Sequence, residues 1–190
     1  MIIDTIHIKG MVCPRCSKVV DQICDDLGLK VENIKLGEIN LREKIGKEKR
    51  ETLRIALQKE GFEMLDDKRN ILINNIKTTL IRLIQNDEAI PDNTNLSNFL
   101  SEKFKYDYSY ISNLFTATEG RTIEKYLISL RIERVKELLI YNELTLDEIA
   151  FTMHYSSTAY LSSQFKRVIG ISPSQFRKMN SRDRKSLDEI

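Results

Sequence analysis

"YISNLFTATEGRTIEKY", Tyr110 to Tyr126, and "YLSSQFKRVIGISPSQF", Tyr160 to Phe176, can be laid over one another at a constant offset of 50 residues. Tyr110 falls on Tyr160, Ile111 on Leu161, Ser112 on Ser162, Phe115 on Phe165, Gly120 on Gly170, Thr122 on Ser172 and Tyr126 on Phe176. Upstream, Leu96 falls on Leu146 and Phe99 on Ile149. A fixed offset across apolar, turn and capping positions implies two copies of one small helical unit.

Each copy reads as a short helix (Leu96–Phe104; Leu146–Met153), a turn of four to five residues and a second helix (about Tyr108–Thr118; Ser157–Ile169). In the later copy Leu161, Phe165, Val168 and Ile169 fall on one face, which leaves Thr158, Ala159, Ser162, Ser163, Lys166 and Arg167 on the other. Small polar side chains followed by two cations suit a helix that enters a groove and grips its phosphates, the helix-turn-helix pattern. Between the copies, Thr122 to Tyr141 would span about 30 Å as a helix at about 1.5 Å per residue. Two reading helices one duplex turn apart need about 34 Å, so the spacing suits two adjacent major grooves contacted by one polypeptide.

The bulk composition excludes more than it assigns. With 41% hydrophobic and 31% charged residues over 190 positions the chain is an ordinary globular protein of one domain or two small ones. It has no run of 18 apolar residues for a membrane span and no basic-then-apolar leader, so the expected compartment is the cytoplasm. A net charge of +2 gives no global attraction to nucleic acid. The distribution is uneven: from Ser157 to Lys185 stand Lys166, Arg167, Arg177, Lys178, Arg182, Arg184 and Lys185 against Asp183 alone. A basic end of this kind suits a phosphate-facing surface.

The N-terminal 67 residues alternate strand-like and helix-like pieces. Ile3, Ile6 and Ile8 open a strand, and Pro14 to Leu27 reads as a helix with Val19, Val20, Ile23 and Leu27 on its apolar face. Val31 and Ile34, a turn at Leu36-Gly37, then Ile39 and Leu41 make a hairpin pattern. A helix from about Glu48 to Glu60 ends at Gly61, before the short strand "FEML". The order is β-α-β-β-α-β, a split βαβ arrangement with both helices on one sheet face. From Lys68 to Asn86 the period turns helical, with Leu72, Ile76, Leu80, Leu83 and Ile84 in a stripe. That helix could join the two halves rigidly, cover the second half, or pair with its copy in another chain to make a homodimer.

The segment "TLDEIAFTMHYSSTAYLSSQFKRVIGISPSQFRK", Thr145 to Lys178, resembles the second helix-turn-helix of AraC/XylS-type transcription regulators, and "YISNLFTATEGRTIEKYLISLRIERVKELL" resembles the first with its linking helix. The resemblance covers roughly residues 71–178. It implies double-stranded DNA as partner, with base-facing positions at Ser109, Ser112 and Asn113 in the first reading helix and Thr158, Ala159, Ser162 and Ser163 in the second. Lys166, Arg167 and Arg131 become candidates for phosphate contact or structural pairing. No base-facing position is an Arg or Gln, so the expected readout leans on hydroxyls, methyl contacts and duplex shape. Two positions depart from the family pattern: His154 replaces the turn glycine, and Leu100 stands where a small residue is usual. A histidine can hold a left-handed turn at some cost.

"GMVCPRC", Gly10 to Cys16, resembles the Gly-Met-x-Cys-x-x-Cys loop of heavy-metal-associated domains, found in copper chaperones and metal-transporting ATPases, and "ALQKEGFEM" resembles the end of their second helix and last strand. If Pro14 starts the helix, Cys13 and Cys16 sit at its positive end beside Arg15 and Lys18, which favours thiolate, the metal-binding form. Two soft sulfurs suit Cu(I) first. Zn(II), which wants four ligands, and Hg(II) are the other ions to consider. Cys24, roughly 12 Å along the helix from Cys16, cannot complete the site and is expected to pack. His7 reads as an outward strand residue, and Met11 as a packing one. Thiol-disulfide switching, or a fold kept only for protein contacts, stay open as other uses of the loop.

Together these readings give a multidomain chain: an α+β, ferredoxin-like βαββαβ domain at 1–67, a connecting helix and loop at 68–95, an all-α domain with two helix-turn-helix motifs at 96–179, and a basic, polar tail at 180–190. The expected function is transcription regulation through DNA binding, answering to a soft metal ion or thiol redox state at Cys13 and Cys16. The rival is a metal chaperone or thiol redox protein with a helical protein-interaction domain. With no hydrolytic triad, phosphate loop or paired catalytic carboxylates, an enzyme is not expected.

Overall fold

The computed structural model describes residues 3–85, 89–91 and 94–181, without the side chains of Asn180 and Ser181. Asn86, where the apolar stripe was expected to end, and Arg182, Asp183, Arg184 and Lys185 in the basic tail lie outside the described residues. The chain forms two compact units, Met1–Gly120 and Arg121–Ile190.

The first unit begins with β1 (Asp4–Lys9), α1 (Pro14–Asp26), β2 (Val31–Lys35), β3 (Glu38–Leu41), α2 (Lys47–Lys59) and β4 (Glu63–Leu65). Pro14 sits in the first turn of α1, where its missing N–H costs nothing. The strands form one antiparallel sheet in the order β2-β3-β1-β4, with Ile6 opposite Ile39 and His7 opposite both Glu38 and Leu65. Because side chains alternate along a strand, Ile6, Ile8, Ile39 and Leu41 all face one way. They join Val20 and Cys24 of α1 and Leu53 and Leu57 of α2 in a sealed apolar core. Val19 was expected on this face, yet its side chain is exposed. The buried pair on α1 is Val20 and Cys24, four residues apart and so one above the other on the helix.

The opposite sheet face is covered as well. Helix α3 (Lys68–Gln85) packs against β1 and against α5 (Tyr108–Glu119). Its seat on the sheet was not among the three roles open to this helix; its contact with α5 touches the helical half, and both contacts lie inside the first unit. Asn74 donates its side-chain amide to the Ile8 carbonyl at 3.0 Å. Gly37, with a φ of +86°, lies so close that an added Cβ would come within 3.0 Å of Thr78 Oγ1 and 3.1 Å of Asn74 Nδ2. Leu72, Ile76 and Leu80 are buried, while Leu83 and Ile84 are half-buried. His7 therefore does not point to solvent: its Nδ1 is buried without a hydrogen-bond partner among the described residues, and burial lowers its pKa despite the opposing pull of Glu38. The unit ends with α4 (Leu96–Phe104) packed on α5, which buries Leu100, Ile111 and Phe115.

The second unit is helical: α6 (Ile123–Tyr141), α7 (Leu146–Thr152), α8 (Thr158–Ile169) and α9 (Pro173–Ser181). Helix α6 packs on α9 and α8, and α7 packs on α8. Ile132, Val135, Leu139, Ile149, Leu161 and Phe165 are buried, and Phe165 meets Phe176 edge-on at 5.5 Å. Among the described residues no helix is long and apolar enough to cross a membrane.

Candidate nucleic-acid interface and thiol loop

The repeat offset is kept by the helix starts. Helices α4 and α7 begin at Leu96 and Leu146, α5 and α8 at Tyr108 and Thr158, and α6 and α9 at Ile123 and Pro173. Capping side chains mark most of these starts, though Asp107, before α5, makes no side-chain cap. Asn95 accepts a hydrogen bond from Asn98 N–H, Thr122 from Lys125 N–H and Ser157 from Tyr160 N–H. Thr145 and Glu148 form a reciprocal capping box. Each cap satisfies an N–H that the first helical turn leaves orphaned. Gly120 and Gly170 close α5 and α8 with φ of 68° and 89°, the left-handed ending that glycine adopts without strain.

The two turns differ. In the second unit the turn runs from Met153 to Ser157, within the expected length, and His154 takes the left-handed conformation at φ 56°. In the first it is shorter than expected, only Lys105, Tyr106 and Asp107, with Lys105 left-handed at φ 59°.

On α5, Ser109 and Asn113 are exposed and Ser112 is half-buried. On α8, Ala159, Ser163, Lys166 and Arg167 are exposed, and Thr158 and Ser162 are half-buried. The Thr158 hydroxyl is engaged by the Asp147 carboxylate of α7, so one expected base contact is tied to the neighbouring helix. Val168, expected in the apolar face, is 47% exposed. The inner row of α8 is Leu161, Gln164 and Phe165. Gln164 was missed because a polar residue reads as outward. It is buried because Tyr155 donates its hydroxyl to its Oε1 at 2.7 Å.

Arg131 is half-buried with its Nε lacking a partner among the described residues, and its charge acts on the buried Tyr155 hydroxyl. Arg177 is likewise turned inward, donating from Nη2 to the Leu144 carbonyl at 2.7 Å. The outward cations of α8 are therefore Lys166 and Arg167. Tyr106 and Tyr110, half-exposed, stack at 5.2 Å beside the start of α5, a feature their separate positions in the chain did not announce.

The thiols form a second centre. Cys13 is the N-cap of α1 and Cys16 lies in its first turn, both partly exposed, with their sulfurs 3.6 Å apart. The Cys16 backbone N–H, then the Cys16 thiol, and after them Arg15 hold the Cys13 thiol below its ordinary pKa. Cys24 is fully buried, and burial pushes its thiol up to about 12. Met11 is buried as a packing residue. Among the described residues no cluster of three or more His, Cys, Asp or Glu could enclose a metal. Gln85, at the end of α3, donates its amide to the carbonyl of Val12, next to Cys13, at 3.3 Å.

Comparison with known proteins places the repeat. A family of helix-turn-helix domains matches residues 100–179. The chain is 28% identical over 90 residues to the melibiose operon regulatory protein of Escherichia coli K12, covering 47% of this chain and 30% of that protein. It is 30% identical over 132 residues to the HTH-type transcriptional regulator YisR of Bacillus subtilis, whose function is uncharacterised, covering 70% of this chain and 43% of that one. The chain thus spans less than half the length of these relatives. Among solved structures, the C-terminal domain of the response regulator AraT from Geobacillus stearothermophilus superposes with a TM-score of 0.51 at 23% identity, over 60% of this chain and 88% of that domain. With capped repeats, left-handed glycine ends and these relatives in agreement, residues 100–179 form a helix-turn-helix domain of the AraC type.

Proposed function

We propose that the chain is a transcription regulator that binds double-stranded DNA through α5 and α8. The carrying observation is that both helices, starting 50 residues apart at matching repeat positions, turn short polar side chains outward, with exposed Lys166 and Arg167 at the far end of α8. Lys166 and Arg167 neutralise phosphates and set affinity. Ser109, Ser112, Asn113, Ala159, Ser162 and Ser163 meet base edges and set preference. Asn113 alone among them carries an amide, the group that pairs with adenine through two hydrogen bonds in the major groove.

The same reading assigns residues 1–67 to a heavy-metal-associated, ferredoxin-like domain, 68–95 to a connector, 96–179 to the DNA-binding segment and 180–190 to a basic tail. Cys13 and Cys16 would hold a soft metal ion. Sulfurs 3.6 Å apart can both touch one ion at about 2.3 Å. A lowered Cys13 pKa favours the ligating thiolate. Two partly exposed sulfurs, with no cluster of three or more such ligands among the described residues, favour Cu(I) over a closed, four-ligand Zn(II) site. When bound, the ion supplies a bridge between the loop and the first turn of α1, and the signal is the change in DNA affinity that follows.

Gel-shift titration of the full chain on the duplex upstream of its own gene, across a salt series, tests the DNA reading. Affinity is expected to fall with salt, and Lys166→Ala with Arg167→Ala to flatten the log–log slope by about 1.8, or about 0.9 per lost phosphate contact. Failure to retain any duplex at low salt sinks the proposal.

A further inference from the structure

Two hydrogen bonds from α3 fall on the stretch that leads into the thiols. Asn74 holds the carbonyl of Ile8, where β1 is about to end, and Gln85 holds the carbonyl of Val12, beside Cys13. Asn74 is one helical face removed from solvent, buried together with Thr78, and Gly37 lacks a Cβ where the helix comes closest. The helix is thus seated on the sheet and touches the loop on both sides of Gly10 and Met11. It is also tied to the reading helix. Lys77 Nζ lies 2.9 and 3.0 Å from the two carboxylate oxygens of Glu119, the last residue of α5, and the pair is largely shielded from solvent. Helix α3 runs for 18 residues and carries all of these contacts.

We infer that α3 carries the state of Cys13 and Cys16 to the first reading helix, with the Gln85–Val12 hydrogen bond as the input contact and the Lys77–Glu119 ion pair as the output. The inference rests on the reading of the thiol pair as a sensing site, and it adds the route and the target: α5. Bridging the sulfurs fixes Cys13 relative to Cys16, changes how the adjoining Val12 carbonyl is presented to Gln85, and so changes how α3 holds the end of α5. Coupling of this kind requires that α3 make different contacts in the two states, and Gln85 and Lys77 are the side chains that can report it.

Amide hydrogen exchange on the full chain tests this, with two probes that bridge the thiols. Cu(I) is the first. The second is phenylarsine oxide, whose arsenic forms one bond to each sulfur while its oxygen leaves as water with the two thiol protons. In the unsubstituted chain either bridge is expected to change exchange in residues 68–85 and 108–119 by about fivefold, the low end of coupling between sites. Gln85→Ala should abolish the change in both segments. Lys77→Met should abolish it in 108–119 only. Both variants should still take up the probe, measured by mass. Bridged chains whose α5 exchange is unaltered, or altered equally in Gln85→Ala and Lys77→Met, overturn the inference. Failure to take up Cu(I) sinks the soft-metal reading alone, because the arsenical still puts the question to α3.

Discussion

Tyr155, in the turn after α7, donates its hydroxyl to Gln164 of α8 at 2.7 Å, and both side chains are buried. The bond fixes the rotation of α8 about its own axis, because Gln164 lies between Leu161 and Phe165 on the inner face and opposite the outward Ser162, Ser163 and Lys166 row. Tyr155→Phe removes the donor and leaves the amide oxygen buried without a partner. It is expected to destabilise the chain by about 1–3 kcal/mol. Pairing it with Gln164→Leu should recover part of that loss, since no orphan remains. Thermal unfolding of the parent chain and the two variants checks the order, and a double variant less stable than Tyr155→Phe contradicts it.

Asn113 is the exposed amide on the outer face of α5. If it reads adenine, Asn113→Ala should weaken binding to the preferred duplex by about 1–3 kcal/mol and leave binding to unrelated duplex nearly unchanged. Lys166→Ala should instead weaken both alike, as a phosphate contact does. Competition titrations with the two duplexes distinguish them. Equal losses for Asn113→Ala on both would remove it from the base-reading set.

The helix boundaries were legible because their causes are local. Thr145 with Glu148, Pro14, Gly120 and Gly170 sit within a turn of the ends they fix, and the repeat carried the same signals twice. What escaped depends on contacts between distant segments. Asn74 and Thr78 are polar and fall outside the apolar stripe, but they are buried where the sheet offers the Ile8 carbonyl and the bare Gly37 backbone. His7 is enclosed for the same reason. Gln164 needed Tyr155, and Val19 and Val168 are exposed although periodicity assigned them to apolar faces. Of the candidate site, the outward row of α8 could be read from spacing, while the positions on α5 came from the family resemblance. The tie between Thr158 and Asp147, the inward turn of Arg177 and the reach of Gln85 to the thiol loop could not.

His154 is exposed and holds φ 56°. A left-handed backbone costs a non-glycine residue about 1–2 kcal/mol. Glycine removes that strain but loses about 0.4–1 kcal/mol through the greater freedom of its unfolded chain. His154→Gly is therefore expected to raise stability by up to about 1.6 kcal/mol, and His154→Val, branched at Cβ, to lower it. Melting temperatures should rank Gly above His above Val. A valine variant as stable as the parent would mean that the turn reshapes at no cost.

His7 gives the fold a pH dependence of definite sign. Its strand neighbours across the sheet are Glu38 and Leu65, and α3 lies over this face. Burial lowers its pKa from the ordinary 6.5, the more so because Nδ1 has no partner among the described residues, while Glu38 pulls the other way and loses. The folded chain thus binds this proton less readily than the unfolded chain. Stability is held above pH about 6.5 and falls as the pH drops from there toward the lowered folded value, below which the loss is complete. His7→Gln, similar in shape and without a titrating ring, should flatten that part of the curve. Urea midpoints between pH about 7.5 and 5, a range that brackets the ordinary histidine pKa, measure it in both proteins. If the two curves stay parallel, protonation of His7 does not carry the loss, and the covered sheet face is open to water.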